Sequence, residues 1–243
     1  MAGLVKNECY KVLRQGKCFL FMGAVLVLQI LKIYQARFTP RTEDGAEPGG
    51  QSFPLHMIGA QSFVMALFAA VLAADLMAEE FRSGTLKLIL LRPVDRRRIV
   101  AAKATALVAA VAALTGFSAA AAYVTGTLAF GWGDGGSVAA TVAAAVASIG
   151  PYAGFGMLLL FVALLTEHAG MTIGIAAALY LFSPLFGIPP EYSIVHLMNT
   201  FHVTVARAAS FGDILPGLGV IAAYVVFFHA AGVILIKQKD VLL

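Results

Sequence analysis

Charge is what this chain has least of. Only 12% of its residues are Asp, Glu, Lys or Arg, against about 25% in an ordinary soluble domain, which excludes a solvated globular fold. Cysteine is almost absent. Cys9 and Cys18 both fall near the N-terminus, too few for a disulfide scaffold and too sparse for a metal site. No G-x-x-x-x-G-K-[ST] loop occurs, so the cradle and lysine that hold nucleotide phosphates are missing. No HExxH zinc motif occurs either. His196 and His202 stand six apart, off the i,i+4 spacing of a helical metal pair. A cleavable signal peptide is not expected: a 17-residue basic segment precedes the first apolar run, and no small-residue cleavage site follows it.

What is present is apolar. Hydrophobic residues make up 60% of the 243, and the mean hydropathy is +0.87. Runs of about 20 apolar residues, long enough to cross a bilayer, recur along the chain. The expectation is an all-α integral membrane protein, one transmembrane domain over 1–243, with no room for a separate soluble domain. The net charge of +4 could suggest nucleic acid, but the location of the charges points to membrane orientation.

Residues 1–17 read as an amphipathic helix on the membrane surface. Leu4, Val5, Cys9, Val12 and Leu13 share one face, and Lys6, Lys11, Arg14 and Lys17 reach toward headgroups. Six spans follow, over 18–36, 54–78, 99–127, 138–165, 169–186 and 214–236. Gly150-Pro151 inside the fourth predicts a kink, and Glu167-His168 predicts a very tight turn before the fifth. The segment 187–213 holds Ile194, Leu197, Met198, Phe201 and Val205 at helical spacing, with His196, Asn199, Thr200 and Arg207 among them. It reads as an outer amphipathic helix, re-entrant or interfacial, too polar and short to span. All Lys and Arg except Lys32, Arg37, Arg41 and Arg207 fall on the side of the two termini, which puts the termini in the cytoplasm and the protein in the cell membrane. Gly150 with Gly154, and Gly170 with Gly174, have the small-xxx-small spacing of close helix packing, expected within the bundle rather than at a dimer seam.

One charged island interrupts the apolar runs, Glu79-Glu80-Phe81-Arg82-Ser83-Gly84-Thr85-Leu86 continuing to Leu91-Arg92-Pro93-Val94-Asp95-Arg96-Arg97-Arg98. Pro93 ends any helix that begins near Thr85, and Asp95 is a good N-cap for the third span. The segment 79–98 therefore contains a short apolar helix, 85–91, held between two span ends.

The pattern Glu80-x-x-x-Gly84-Thr85, an apolar turn, Pro93-Val94-Asp95-Arg96 and Lys103 early in the next span resembles the signature between spans two and three of the type-2 permeases of ATP-binding-cassette (ABC) transporters. Asp95 departs from it mildly, since many members carry Ser or Thr there and all three cap helices. The resemblance implies that 79–98 is a cytoplasmic coupling helix docking on a separate ATPase, with Glu79, Glu80, Gly84, Thr85, Leu86 and Arg96 at or beside the contact. It implies a second permease chain, identical or related, and short outer helices before the last span. ATP and Mg would belong to the ATPase partner, leaving this chain a non-enzymatic transport subunit without a cofactor or metal of its own. Export as the direction also rests on the resemblance.

Ionisable and polar groups within spans are candidates for a pathway. His229 lies deep in the last span, either lining the pathway or as a neutral histidine bonded to a neighbouring helix. Asp75 is placed to pair with Lys103 or Arg82. Tyr123, Tyr152 and Tyr180 face packing or pathway. Two other readings compete. An intramembrane protease of the CAAX type would need EExxxR, and the chain has Gly84 where that arginine should stand. A membrane anchor or assembly factor that moves nothing would also suit these spans.

Overall fold

A computed structural model describes residues 2–14, 16–38, 52–78, 95–132, 137–208 and 210–238. Among these residues it is helical, with no strand. The helices are α1 (Ala2–Arg14), α2 (Gly16–Phe38), α3 (Phe53–Ala60), α4 (Ser62–Ala73, continued by a π-helical turn Ala74–Ala78), α5 (Arg96–Phe130), α6 (Val138–Thr166), α7 (Ala169–Leu181), α8 (Ile194–Arg207) and α9 (Phe211–Gln238). Helices α2, α5, α6 and α9 are each long and apolar enough to cross a membrane, and α3 with α4 makes a bent fifth candidate. The short helix expected over 85–91 lies outside the described residues.

Local chemistry sets several helix ends. The Asp95 carboxylate accepts from the Arg97 N–H at 3.0 Å and caps α5, as the sequence predicts. Ser137 caps α6 and Ser193 caps α8 in the same way. At the far end of α6, Glu167 takes a left-handed conformation, φ 56°, and turns the chain straight into α7. Pro184 disfavours helix at the residue before it. The fifth apolar run is accordingly α-helical only to Leu181 and ends in a 3-10 turn, Ser183–Phe186, short of the continuous 169–186 span expected.

Helix α6 is the central element, contacted by α3, α4, α5, α7, α8 and α9. It carries the buried Tyr152, Phe155, Leu159 and Leu160. It runs uninterrupted through Pro151. Its close neighbours fix the register of the bundle. A Cβ built on Gly154 would stand 3.0 Å from Ile194 Cδ1 and 3.6 Å from Tyr224 Cβ; one on Gly150 would stand 3.4 Å from Ile221 Cγ2. The first small-xxx-small pair therefore packs inside the chain, as expected. The second does not: Gly170 and Gly174 on α7 have nothing within 4 Å.

Three expectations are made more specific. The second span is not continuous but bends by 50° between Ala60 and Ser62. The outer helix α8, expected as re-entrant or interfacial, packs into the bundle. It buries Ile194, Leu197, Met198, Phe201 and His202 and runs antiparallel to α6, from Gly154 at its start to the Ile58, Ala144 and Ala145 cluster on which Ala206 packs. Helix α1 packs against α5; its inward face holds Val12, 1% exposed, and the Glu8 carboxylate, which a purely apolar face omits.

Candidate functional site

Two regions concentrate polar chemistry. The first is the end that carries both termini. Here Lys17 Nζ lies 2.7 and 2.8 Å from the two Asp75 carboxylate oxygens. Asp75 thus pairs with Lys17, not with Lys103, the one of its two expected partners (Lys103 or Arg82) that lies among the described residues, because the start of α2 stands over the π-helical turn. Lys103, wholly buried, points instead to Glu8, Nζ to Oε2 3.5 Å, and Lys11 approaches the other Glu8 oxygen at 3.4 Å. A buried cation needs such a partner, since leaving either charge alone in an apolar interior is strongly unfavourable. Arg96 Nη1 donates to the backbone carbonyls of Ile236 and Lys237 at 3.0 and 3.2 Å. These belong to the last turn of α9, where carbonyls lack helical partners and a cation is favoured.

The two flanks of the charged island are therefore fixed differently. Its entry, the π-helical turn, is held by α2; its exit, the first turns of α5, is held by α1 and α9. Of the residues assigned to docking, Arg96 is placed by these bonds, while Glu79, Glu80, Gly84, Thr85 and Leu86 lie outside the described residues.

The second region is the bend of the second span and what surrounds it. An unbroken helix would offer the Ile58 carbonyl to the Ser62 N–H; that carbonyl accepts from the buried Tyr152 hydroxyl at 2.9 Å. Ser62 Oγ donates to Asn199 Oδ1 at 2.6 Å and shares a 2.5 Å hydrogen bond with Tyr180 OH. Tyr180 OH also reaches Asn199 Oδ1 at 3.3 Å. One hydroxyl on α4 thus ties α7 to α8. Beside it Gln61 Oε1 accepts from Ser118 Oγ, whose backbone carbonyl accepts from Gln29 Nε2 at 3.1 Å. Gln61 Nε2 and His202 Nδ1 are buried with no partner among the described residues. His202 lies against Gly59, where a Cβ would come within 3.0 Å of the ring, so only a glycine leaves room for the imidazole.

The sequence-assigned residues separate accordingly. Tyr152 and Tyr180 both serve the bend. His229 takes no part in it: it is half-buried, with Thr105, Met157 and Val225, in a groove of about 450 Å3 walled mainly by α5 residues. It makes no hydrogen bond among the described residues, so the neighbouring-helix partner foreseen for it is not among them. The Tyr123 hydroxyl is buried without a partner there as well. Gln29, Gln61, Ser62 and Ser118 were not foreseen. Their signal was an amide or hydroxyl standing alone in an apolar run, which inside a membrane asks for an interhelical bond. Among the described residues no three His, Cys, Asp or Glu side chains gather to hold a metal.

The long apolar helices and the bond network between them define a multi-pass helical membrane protein. A family model described as "Protein of unknown function (DUF2705)" matches residues 19–242, nearly the whole chain, and the protein belongs to that family. No curated protein matches it.

Proposed function

We propose that this chain is the membrane-spanning permease subunit of an ATP-driven transporter of the ABC type, an exporter, acting with a separate ATPase and a second permease chain. In this reading the termini face the cytoplasm and six crossings are completed by α7 and α8, stacked end to end along α6 as the fifth.

The observation that carries the reading is the fixing of both flanks of the segment 79–94. A loop that only connects two spans needs no such attachment. An element that receives force needs rigid outlets, and here there are three: Asp75 to Lys17, Lys103 to Glu8, and Arg96 to the end of α9. Closure of the ATPases would displace the short helix. That displacement would pass through α4 to the bend at Gln61 and through α5 and α9 to the far end of the bundle. The break in the second span is where such a displacement can be absorbed, because its hydrogen bonds run to side chains on four other helices rather than along one backbone.

The test is recovery of the tagged full chain from its native membrane in mild detergent, beside a Gly84→Arg variant, with mass spectrometry of bound proteins. A soluble ATPase that follows the wild type and is lost from the variant supports the reading. An ATPase-free preparation overturns it in favour of an anchor or assembly role.

A further inference from the structure

The break between α7 and α8 sits at a depth where broken backbone is rarely found. Ile194, the first residue of α8, meets Gly154 of α6. Gly154 stands about 18 Å along the axis from Thr166, at 1.5 Å per residue, and Thr166 adjoins the charged Glu167-His168 turn, which the transporter reading puts at the cytoplasmic membrane boundary. The hydrocarbon core is about 30 Å thick, so α8 begins well inside it. Helix α7 rises from the same turn and covers only about 20 Å with its 13 residues. Both helices thus stop within the core, and 182–193 joins them there.

Glu191 belongs to that join. It is three residues from Ile194, and three residues span at most about 10 Å. Its Cα therefore lies between about 8 and 28 Å from the boundary, inside the core either way. The side chain is exposed on the chain's surface and has no partner among the described residues. Around it Leu185 is 78% exposed and Tyr192 58%. Lipid tolerates neither non-helical backbone nor an unpaired carboxylate at this depth; such features occur where protein covers them or where they line water. The adjoining face of α7 suits a protein cover: Gly170, Gly174, Ala178 and Leu181 are exposed along one side, and the two glycines meet no atom of their own chain. Small residues in this spacing allow another helix backbone to approach closely.

We propose that the break at 182–193 borders a water-filled pathway shared with a second copy of this chain, packed along α7, and that Glu191 is the group in it that recognises cationic cargo. The inference rests on the transporter reading above and gives its cargo a charge. Two copies bring two carboxylates to one pathway. The join itself carries no Lys or Arg to neutralise them, so the lining selects for positive charge and disfavours anions.

The test uses the full chain in its membrane with Cys9→Ser and Cys18→Ser as background and one new cysteine, Ile188→Cys. Methanethiosulfonates carrying a trimethylammonium or a sulfonate group are applied, with rates referred to those of Trp132→Cys in the exposed loop after α5. Both reagents should modify position 188, with a cation preference about sevenfold above the reference, the size expected of one carboxylate roughly 7 Å away in water. Glu191→Gln should return the ratio to the reference. Tyr192→Cys serves as the second reporter should Ile188→Cys not reach the membrane. Oxidation of Leu181→Cys should give a band of twice the mass.

No modification at either reporter overturns the pathway. Modification without charge preference, or a preference that survives Glu191→Gln, overturns the role of Glu191. Absence of the cross-linked band overturns the second copy. ATPase recovery from the same membranes separates this site from the reading beneath it: a cation-selective break without an ATPase sinks ATP coupling alone, and a bound ATPase with an unreactive break sinks this site alone.

Discussion

The end that bears the termini and the middle of the bundle solve the same problem, holding helices together in an apolar surround, with different chemistry. The end uses formal charge: Lys17 with Asp75, Lys103 with Glu8, Arg96 with the carbonyls of α9. The middle uses amides and hydroxyls: Ser62 with Asn199 and Tyr180, Gln61 with Ser118, Tyr152 with Ile58. Depth accounts for the difference. A charged side chain near a helix end can reach headgroups or water if its partner moves away, whereas at the centre of the bilayer it has no such retreat. The middle can therefore exchange one neutral partner for another at small cost, and the end behaves as a set of fixed attachments.

The contrast is broken most severely by stranding a charge. Lys103→Met leaves Glu8 buried beside Lys11 alone, and it should destabilise the protein by about 3–5 kcal/mol. The double variant Glu8→Gln with Lys103→Met should recover much of that. Thermal unfolding in detergent measures both, and a double variant as unstable as the single would show that the pair is not what holds α1 to α5. Next in size is Gly59→Val, which forces a side chain into the His202 ring and the Asn199 carbonyl and should cost about 1–3 kcal/mol. If α3 and α8 separate as a result, a cysteine placed at Met198, buried on α8, becomes reactive to thiol reagents; an unreactive one would mean that the bend accommodates the added bulk.

Smaller effects sharpen the comparison. Ser62→Ala should cost about 1 kcal/mol, and combining it with Tyr180→Phe should cost less than the two effects added, because both remove the same bond. Strict additivity would separate α7 from the cluster. Lys17→Ala should cost less than about 1 kcal/mol, since the lysine side chain is 52% exposed and screened by solvent. Its effect should shrink further with salt, while that of Ser62→Ala should not. Equal salt sensitivity in the two variants would erase the distinction between the regions.

Much of the end was legible before the structure. The cap at Asp95, the turn at Glu167 and the gathering of basic residues toward the termini follow from residue type and local spacing. The partners were less legible. Asp75 was matched to Lys103 or Arg82 because all three lie near the same end, yet which nearby cation it meets depends on how α2 and α5 are rotated. Glu8 was passed over since a carboxylate on an apolar face looks like a misfit until a buried lysine stands opposite. In the middle, Tyr152 and Tyr180 were noticed, while Gln61 and Ser62 were absorbed into a span whose mean hydropathy hides two polar residues. The break of the fifth run was half visible: Pro184, Gly187, Pro189 and Pro190 announce irregular chain, but only the meeting of Ile194 with Gly154 gives its depth.

Sequence alone determined that the protein is helical and membrane-embedded, where its long apolar helices run, and that one charged island separates the second from the third. These follow from composition and from signals within one turn of helix, which the chain satisfies whatever surrounds it. The tertiary structure decided which polar side chains meet, that α8 lies along α6 rather than across a surface, and that one glycine pair packs inward while the other stays open. Those outcomes depend on the axial register and rotation of helices distant along the chain, set by the summed fit of many small contacts around α6.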